Sequence, residues 1–313
     1  MPIQRKITVA THRGRFHADE AFGVALLSLA GYKLKVLRLS RGSSAIHQAD
    51  FKLDIGKRHD PANGYFDHHQ NSGAGKRTYP HPHNIPYATA GLLWQHLGLE
   101  MCGGDATLFE LVDKALFIHV DAVDYGMKLY GGETLPVSTI IAQHNADDET
   151  DNAEQHRRFM QAVTMCKAII KNAVRDARKQ QRCAGIIRNA LAHHTAQDYT
   201  PHVLELPEQV EWRGRESKQL LLSHGVDIVL MPGYGDQTLI HVVNRDLKFP
   251  HAMRQNTGAD IPSNIVFTNH RQARATSAGA ARALARTFLR INNRLPDDGD
   301  WQDTPRPKTD QTA

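Results

Sequence analysis

The sequence predicts an α/β protein with three parts: a parallel-sheet N-terminal domain, a long helical connector and a smaller α+β C-terminal domain. Three observations lead to this class. Short β-branched segments alternate with helical ones up to Asp124, the pattern of a parallel sheet with crossover helices. Between Ala153 and His194, Phe159, Val163, Cys166, Ile170 and Val174 recur at helical spacing. After Pro201 the pattern changes to short strands closed by one helix.

The elements follow in order. Lys6 to Thr11 is a β-branched run and reads as the first strand. Asp19 and Glu20 open a helix through Leu29, acids in the first turn suiting the helix dipole, and Gly31 stops it. Lys33–Leu39, Phe51–Ile55 and Tyr65–His68 read as further strands. A Gly-, Pro- and His-rich loop occupies 71–87, and helices are expected at Thr89–Leu97 and Asp105–Val123. The acidic segment 147–152 leads into the connector. Beyond it, strands are expected at His202–Leu206, Asp227–Met231, Thr238–Val243 and Ile265–Thr268, and a helix from Ser277 to about Leu295. The expected domains are 1–150, a connector 151–200, a second domain 201–295, and a Pro-, Asp- and Thr-rich disordered tail 296–313.

Composition narrows the function classes. The 313 residues are 41% hydrophobic and 23% charged, which is ordinary for a globular protein with a real core. Cys102, Cys166 and Cys183 are scattered and form no CxxC pair, which argues against a disulfide framework or a zinc finger and for a reducing compartment. No signal peptide is recognisable, and the longest apolar run, Ala21–Ala30, is far short of a membrane span. A cytoplasmic location is therefore expected. The net charge of +5 is compatible with a polyanionic partner.

The 19 histidines are the oddity. Imidazoles and carboxylates concentrate in four blocks: Thr11–Glu20, Leu53–Gly56, Phe66–Gln70 and Asp121–Asp124. That is more ligand than one divalent ion needs and suits two, which about 3.5–4 Å apart are the usual apparatus for cutting phosphate esters. His and Asp without Cys favour Mn²⁺ over structural zinc, with Mg²⁺ as the alternative. His12, Asp54 and Asp67 fall at or near strand ends, where parallel sheets gather ligands. Successive strand residues face opposite sides, so Asp67, His68 and His69 cannot all be ligands on a regular strand; a turn there would permit two. Asp121 and Asp124 are three apart on a helix, and Asp124 is left open between a structural hydrogen bond and a metal role.

These blocks resemble the DHH phosphoesterase superfamily, and more closely the family of the melanocyte-proliferating-gene protein, a DHH-like exonuclease. The resemblance rests on Thr-His-x-Gly-x-Phe-His-x-Asp-Glu at 11–20, Asp-x-Gly at 54–56, Phe-Asp-His-His-Gln at 66–70, Thr-Ala-Gly-Leu-Leu-Trp at 89–94 and Val-Asp-Ala-Val-Asp-Tyr-Gly at 120–126. It implies a DHH-type N-terminal domain with metal ligands His12, His17, Asp19, Asp54, His68 and Asp121. It further implies that Asp19 and Asp54 bridge two ions, that Asp67 orients an imidazole and that His69 contacts or protonates substrate. The second domain matches the family poorly.

The implied activity is that of a metal-dependent hydrolase: a phosphodiesterase acting as a 3′–5′ exonuclease on RNA or short oligonucleotides. One rival is a small-molecule phosphohydrolase for pyrophosphate or a nucleotide. Another is a metal- or nucleic-acid-binding protein without turnover. Gly73–Arg77 lacks the spacing of a phosphate loop and reads as a mobile basic loop, with Lys76 and Arg77 expected at substrate. Arg282, Arg286, Arg290 and Arg294 recur every four residues and form either a track for a nucleic-acid backbone or a solvated face, with Arg282 and Arg286 the expected substrate contacts. Homo-oligomerisation is left open.

Overall fold

The computed structural model describes residues 5–77, 84–129, 134–195, 202–254 and 265–294. The tail 296–313 and the middle of the 71–87 loop lie outside the described residues. The chain divides into two compact units, residues 1–178 and 179–313.

The first unit begins with β1 (Lys6–His12), α1 (Ala18–Leu29) and β2 (Lys33–Leu39). Three short strands follow: β3 (Phe51–Leu53), β4 (His59–Asp60) and β5 (Tyr65–Phe66). The sheet order is β2-β1-β3-β5-β4. All pairings are parallel except β4 with β5, so the expected parallel sheet carries one antiparallel edge. Both β3 and β5 stop earlier than their sequences suggest. Asp54 leaves β3 by adopting a left-handed backbone with φ 53°, and Asp67 begins a turn directly after Phe66.

Helices α2 (Thr89–Met101), α3 (Ala106–Val112), α4 (Ile118–Asp124) and α5 (Val137–Ala142) follow. A π-helical turn at Asp113–Phe117 separates α3 from α4, where one continuous helix is expected. Phe22, Trp94 and Phe117 are fully buried, with the rings of Trp94 and Phe117 stacked at 4.7 Å. Each such burial contributes about 1.5–3 kcal/mol relative to exposure. The long helix α6 (Asn152–Thr195) buries Phe159, Val163, Cys166 and Ile170 in the core of the first unit, the face its sequence predicts.

The second unit contains β6 (Val203–Glu205), α7 (Arg215–Ser223), β7 (Ile228–Pro232), β8 (Thr238–Val242), α8 (His251–Arg254), β9 (Ile265–Asn269), β10 (Gln272–Ala275) and α9 (Ala278–Ile291). Its sheet order is β6-β7-β8-β10-β9, with only β6 and β7 parallel. Helix α9 covers this sheet with Ala281, Leu284, Ala285, Phe288 and Leu289. No described helix is long and apolar enough to cross a membrane.

Candidate metal centre

The end of β1, the N-terminus of α1, the turns after β3 and β5 and the end of α4 bring carboxylate and imidazole side chains together. His12 Nε2 lies 3.0 Å from Asp54 Oδ2 and 3.1 Å from Glu20 Oε1. His69 Nδ1 is 3.0 Å from Asp54 Oδ1 and 2.9 Å from Asp67 Oδ1. His68 Nε2 is 3.0 Å from Asp124 Oδ2, while its Nδ1 faces Asp19 at 4.0 Å and Asp54 at 3.9 Å. His17 Nδ1 stands 3.7 Å from Asp124 Oδ1. Among the described residues three overlapping groups emerge: His12, His17, Glu20 and Asp54; Asp54, Asp67, His68 and His69; and His17, Asp19 and Asp124. Asp54 and His17 each belong to two groups.

Asp19 decides whether this cluster fits a cation. Its carboxylate is completely buried beside Glu20, and neither oxygen meets an N–H or hydroxyl donor among the described residues. Burial first, then the charges of Asp124, Asp54 and Glu20, hold its pKa well above the usual aspartate range. A buried carboxylate without a donor is costly unless a cation meets it. The surrounding His and Asp donors suit Mn²⁺, Mg²⁺ or a related divalent ion.

The imidazoles take up part of this excess negative charge. Burial alone would depress His12, but its contacts with Asp54 and Glu20 win and hold it up at about 10. Hydrogen bonding to Asp54 raises His69 to about 9 against its partial burial. Burial works against ionised Asp54, yet His12 and His69 keep its pKa below the usual carboxylate range.

Local backbone geometry aims these groups. Gly56, at φ 107°, completes the turn after Asp54; a Cβ there would meet the Tyr65 ring at 2.9 Å. Asp67 Oδ2 accepts from Lys57 N at 2.6 Å, and its Oδ1 accepts from His69 N at 3.0 Å. The turn after β5 thus lets Asp67, His68 and His69 all face the cluster. An amide pair braces the loop between His12 and His17: Phe16 N donates to Asn145 Oδ1 and Asn145 Nδ2 donates to Phe16 O, both at 2.9 Å. Gln155 Nε2 donates to Gly14 O at 3.0 Å and to Asn145 Oδ1 at 2.6 Å.

Two expected site residues stand elsewhere. Asp121 is fully buried, but Gly91 N donates to its Oδ1 at 3.0 Å and Arg77 Nη2 to its Oδ2 at 2.8 Å. Gly91 is required there, because a Cβ would lie 1.9 Å from Asp121 Oδ2. Arg77, expected at substrate, has a side chain only 2% exposed and also grips Asp113 through Nε at 2.8 Å and Nη2 at 2.9 Å. Together they form a buried Asp-Arg-Asp clamp. The α4 carboxylate that joins the cluster is Asp124. Glu20 joins it as well; its sequence position reads as a helix-capping acid, and it does accept from His17 N at 3.0 Å.

Of the remaining expected substrate contacts, Lys76 is exposed beside its bridge to Pro86. Arg282 makes a two-pronged ion pair with Glu205. Arg286 is half-buried, and Arg294, beyond the end of α9, lies 3.8 Å from Asp227. The arginine stripe is therefore partly neutralised by carboxylates. A cavity of about 240 Å³ opens beside His17, Asp19 and Asp124, with Val120, Val123 and Ser138 among its walls.

Residues 8–246 match the MYG1 exonuclease family, described as an uncharacterised protein family (UPF0160). The chain belongs to this family. It is 26% identical to the MYG1 protein of Dictyostelium discoideum over 217 residues, covering 58% of this chain and 65% of that one. It is 29% identical to the MYG1 exonuclease of Homo sapiens over 182 residues, covering 50% and 47% of the two chains. The chain thus matches less than two thirds of the length of these relatives. Among solved structures, RecJ from Thermus thermophilus in complex with Mg²⁺ aligns with 93% of this chain and 50% of its own at 14% identity, with a TM-score of 0.29.

Proposed function

We propose that this chain is a divalent-metal-dependent phosphodiesterase, a hydrolase working as a 3′–5′ exonuclease on RNA or short oligonucleotides, with Mn²⁺ as the preferred ion and the cytoplasm as its location. The observation that carries this reading is the buried, donor-free Asp19 carboxylate amid Asp54, Asp124, Glu20 and four imidazoles. His12, His17, Asp19, Asp54, His68 and Asp124 would hold the ions, with Glu20 steadying His12. Ions held there would polarise a phosphoryl group and activate water. Family membership supports the same reading, because relatives bear the name MYG1 exonuclease.

The chain's own groups then have defined tasks. Asp67 fixes His69 through both its backbone N–H and its Nδ1. With Nδ1 directed at carboxylates, the other ring nitrogen of His69 is left to donate a proton to the leaving oxygen. The His69 side chain is 42% exposed, so substrate can reach it. The buried free thiols Cys102, Cys166 and Cys183 accord with a reducing compartment.

The test is a panel of 5′-labelled RNA, single-stranded DNA, dinucleotides and pyrophosphate, each with Mn²⁺, Mg²⁺ or EDTA. Stepwise shortening of RNA from its 3′ end with Mn²⁺ and none with EDTA is expected. Cleavage of pyrophosphate alone would replace this reading with a small-molecule phosphohydrolase. Metal binding without turnover of any substrate would reduce it to a binding protein.

A further inference from the structure

A second cluster of charge lies wholly within the second unit. A cavity of about 370 Å³ is bounded by the segment before α7, by α7 itself, by the end of β8 and by the β9–β10 turn. Its lining includes Arg213, Lys218, Arg245 and Arg271 and, among the described residues, no carboxylate. None of these four cations makes an ion pair among the described residues. Other arginines of this unit do find acids, as Arg182 finds Glu208 and Arg188 finds Glu216.

Two of the cations, Arg271 and Arg213, are held by neutral groups. Arg271 donates from Nη2 to Arg245 O at 2.7 Å and has its Nη1 3.2 Å from His270 Nε2, while its buried Nε has no partner. Its backbone is fixed by Arg271 N donating to Asn269 Oδ1 at 2.8 Å. Arg213 lies over the Trp212 ring at 4.7 Å, so the indole face is occupied. The Trp212 indole N–H is itself buried without an acceptor. Burial and then Arg213 hold His241 down at about 4.

Four cations that meet no acid among the described residues, around a concave site with spare N–H donors, select an anion with several acceptor oxygens. An occupied indole face argues for recognition of phosphate rather than stacking of a base. We propose that this cavity binds a small phosphate-bearing ligand, a nucleoside monophosphate or inorganic phosphate. The site stands apart from the hydrolytic reading, because none of its residues belongs to the metal cluster.

The experiment titrates the full chain with AMP, adenosine and inorganic phosphate by calorimetry in EDTA, which removes the metal cluster's own attraction for phosphate. AMP should bind and adenosine should not. Phosphate matching AMP would identify bare phosphate as the ligand, and AMP binding much more tightly would identify the nucleotide. Lys218→Gln combined with Arg245→Gln should weaken AMP by about tenfold or more, as expected for loss of charge-assisted contacts. Neither side chain has a hydrogen-bond or ion-pair partner among the described residues, so the fold should persist, checked by circular dichroism. The assignment fails if AMP and phosphate do not bind at millimolar concentration, if adenosine binds as well as AMP, or if the double variant binds like the parent. It also fails if Asp19→Asn abolishes AMP binding, which would place the phosphate at the metal cluster.

Discussion

On the proposed hydrolytic reading, Asp19 would carry charge for the cluster and His69 would carry its proton. Without metal, Asp19 is a buried carboxylate facing Asp124, Asp54 and Glu20 with no donor to quiet it. Asp19→Asn should therefore stabilise the metal-free protein while weakening Mn²⁺ binding by at least about 100-fold, opposite signs that simple structural damage would not produce. Thermal unfolding in EDTA and metal titration read the two effects separately. His69 sits at the exposed rim, steered by Asp67 and Asp54. His69→Ala should keep metal binding but lower turnover by about 10²–10⁴, the range of an acid–base group. Loss of metal instead would make His69 a ligand. His241 carries a third prediction, for the second unit. Its folded pKa of about 4 lies below its unfolded 6.5, because burial and Arg213 disfavour the cation. Its neutral form is shared by folded and unfolded chains above pH 6.5. As pH falls towards 4, the unfolded chain takes up the proton first and stability is lost. His241→Gln should flatten that part of the stability curve, measured by urea unfolding between about pH 7 and 4.

At the scale of elements, short segments rather than long ones position the chemistry. The bracing of the loop between His12 and His17 by Asn145 and Gln155 spans more than a hundred residues of sequence and has no local signature. Asn145→Ala would leave the Phe16 N–H and carbonyl without partners, costing on the order of 1–3 kcal/mol. It should also weaken metal binding by about 10–100-fold, the usual effect of losing a group that orients ligands. Unchanged metal affinity in a folded variant would make the pair purely structural. The first strands and α6 were legible because β-branched runs and apolar spacing report directly on burial. His59–Asp60 was not, because two polar residues on an edge carry no periodic pattern. The Asp121 and Asp124 positions show another limit. Three residues apart they share a helical face, yet their carboxylates point to different partners, one to Arg77 and Gly91, the other to His68 and His17. The π-helical turn at Asp113–Phe117 changes the helical phase just before them, and nothing in the local sequence announces it.

For the molecule as a whole, the candidate ligand groups among the described residues lie at or before Asp124, within the first of the two units. Their order along the chain was readable because strand ends and helix starts converge in any parallel sheet. The fate of the cationic residues was not, since whether an arginine meets a carboxylate depends on the folding of distant segments, as with Arg282 and Glu205 or Arg77 and Asp113. This segregation makes a prediction about stability. A ligand that binds only the folded state adds RT ln(1 + [L]/Kd), about 2.7 kcal/mol at a hundredfold excess over Kd. The added stability would belong to the segments proposed to hold the ion. Hydrogen exchange with and without Mn²⁺ should therefore slow in 12–20, 53–69 and 118–124, where ligands and their braces sit. It should leave β7, β8 and α9 of the second unit unchanged, because none of their residues belongs to the cluster. Equal protection of both units would mean that they unfold as one cooperative body. Protection confined to the second unit would place the metal away from Asp19 and remove the basis of the hydrolytic reading.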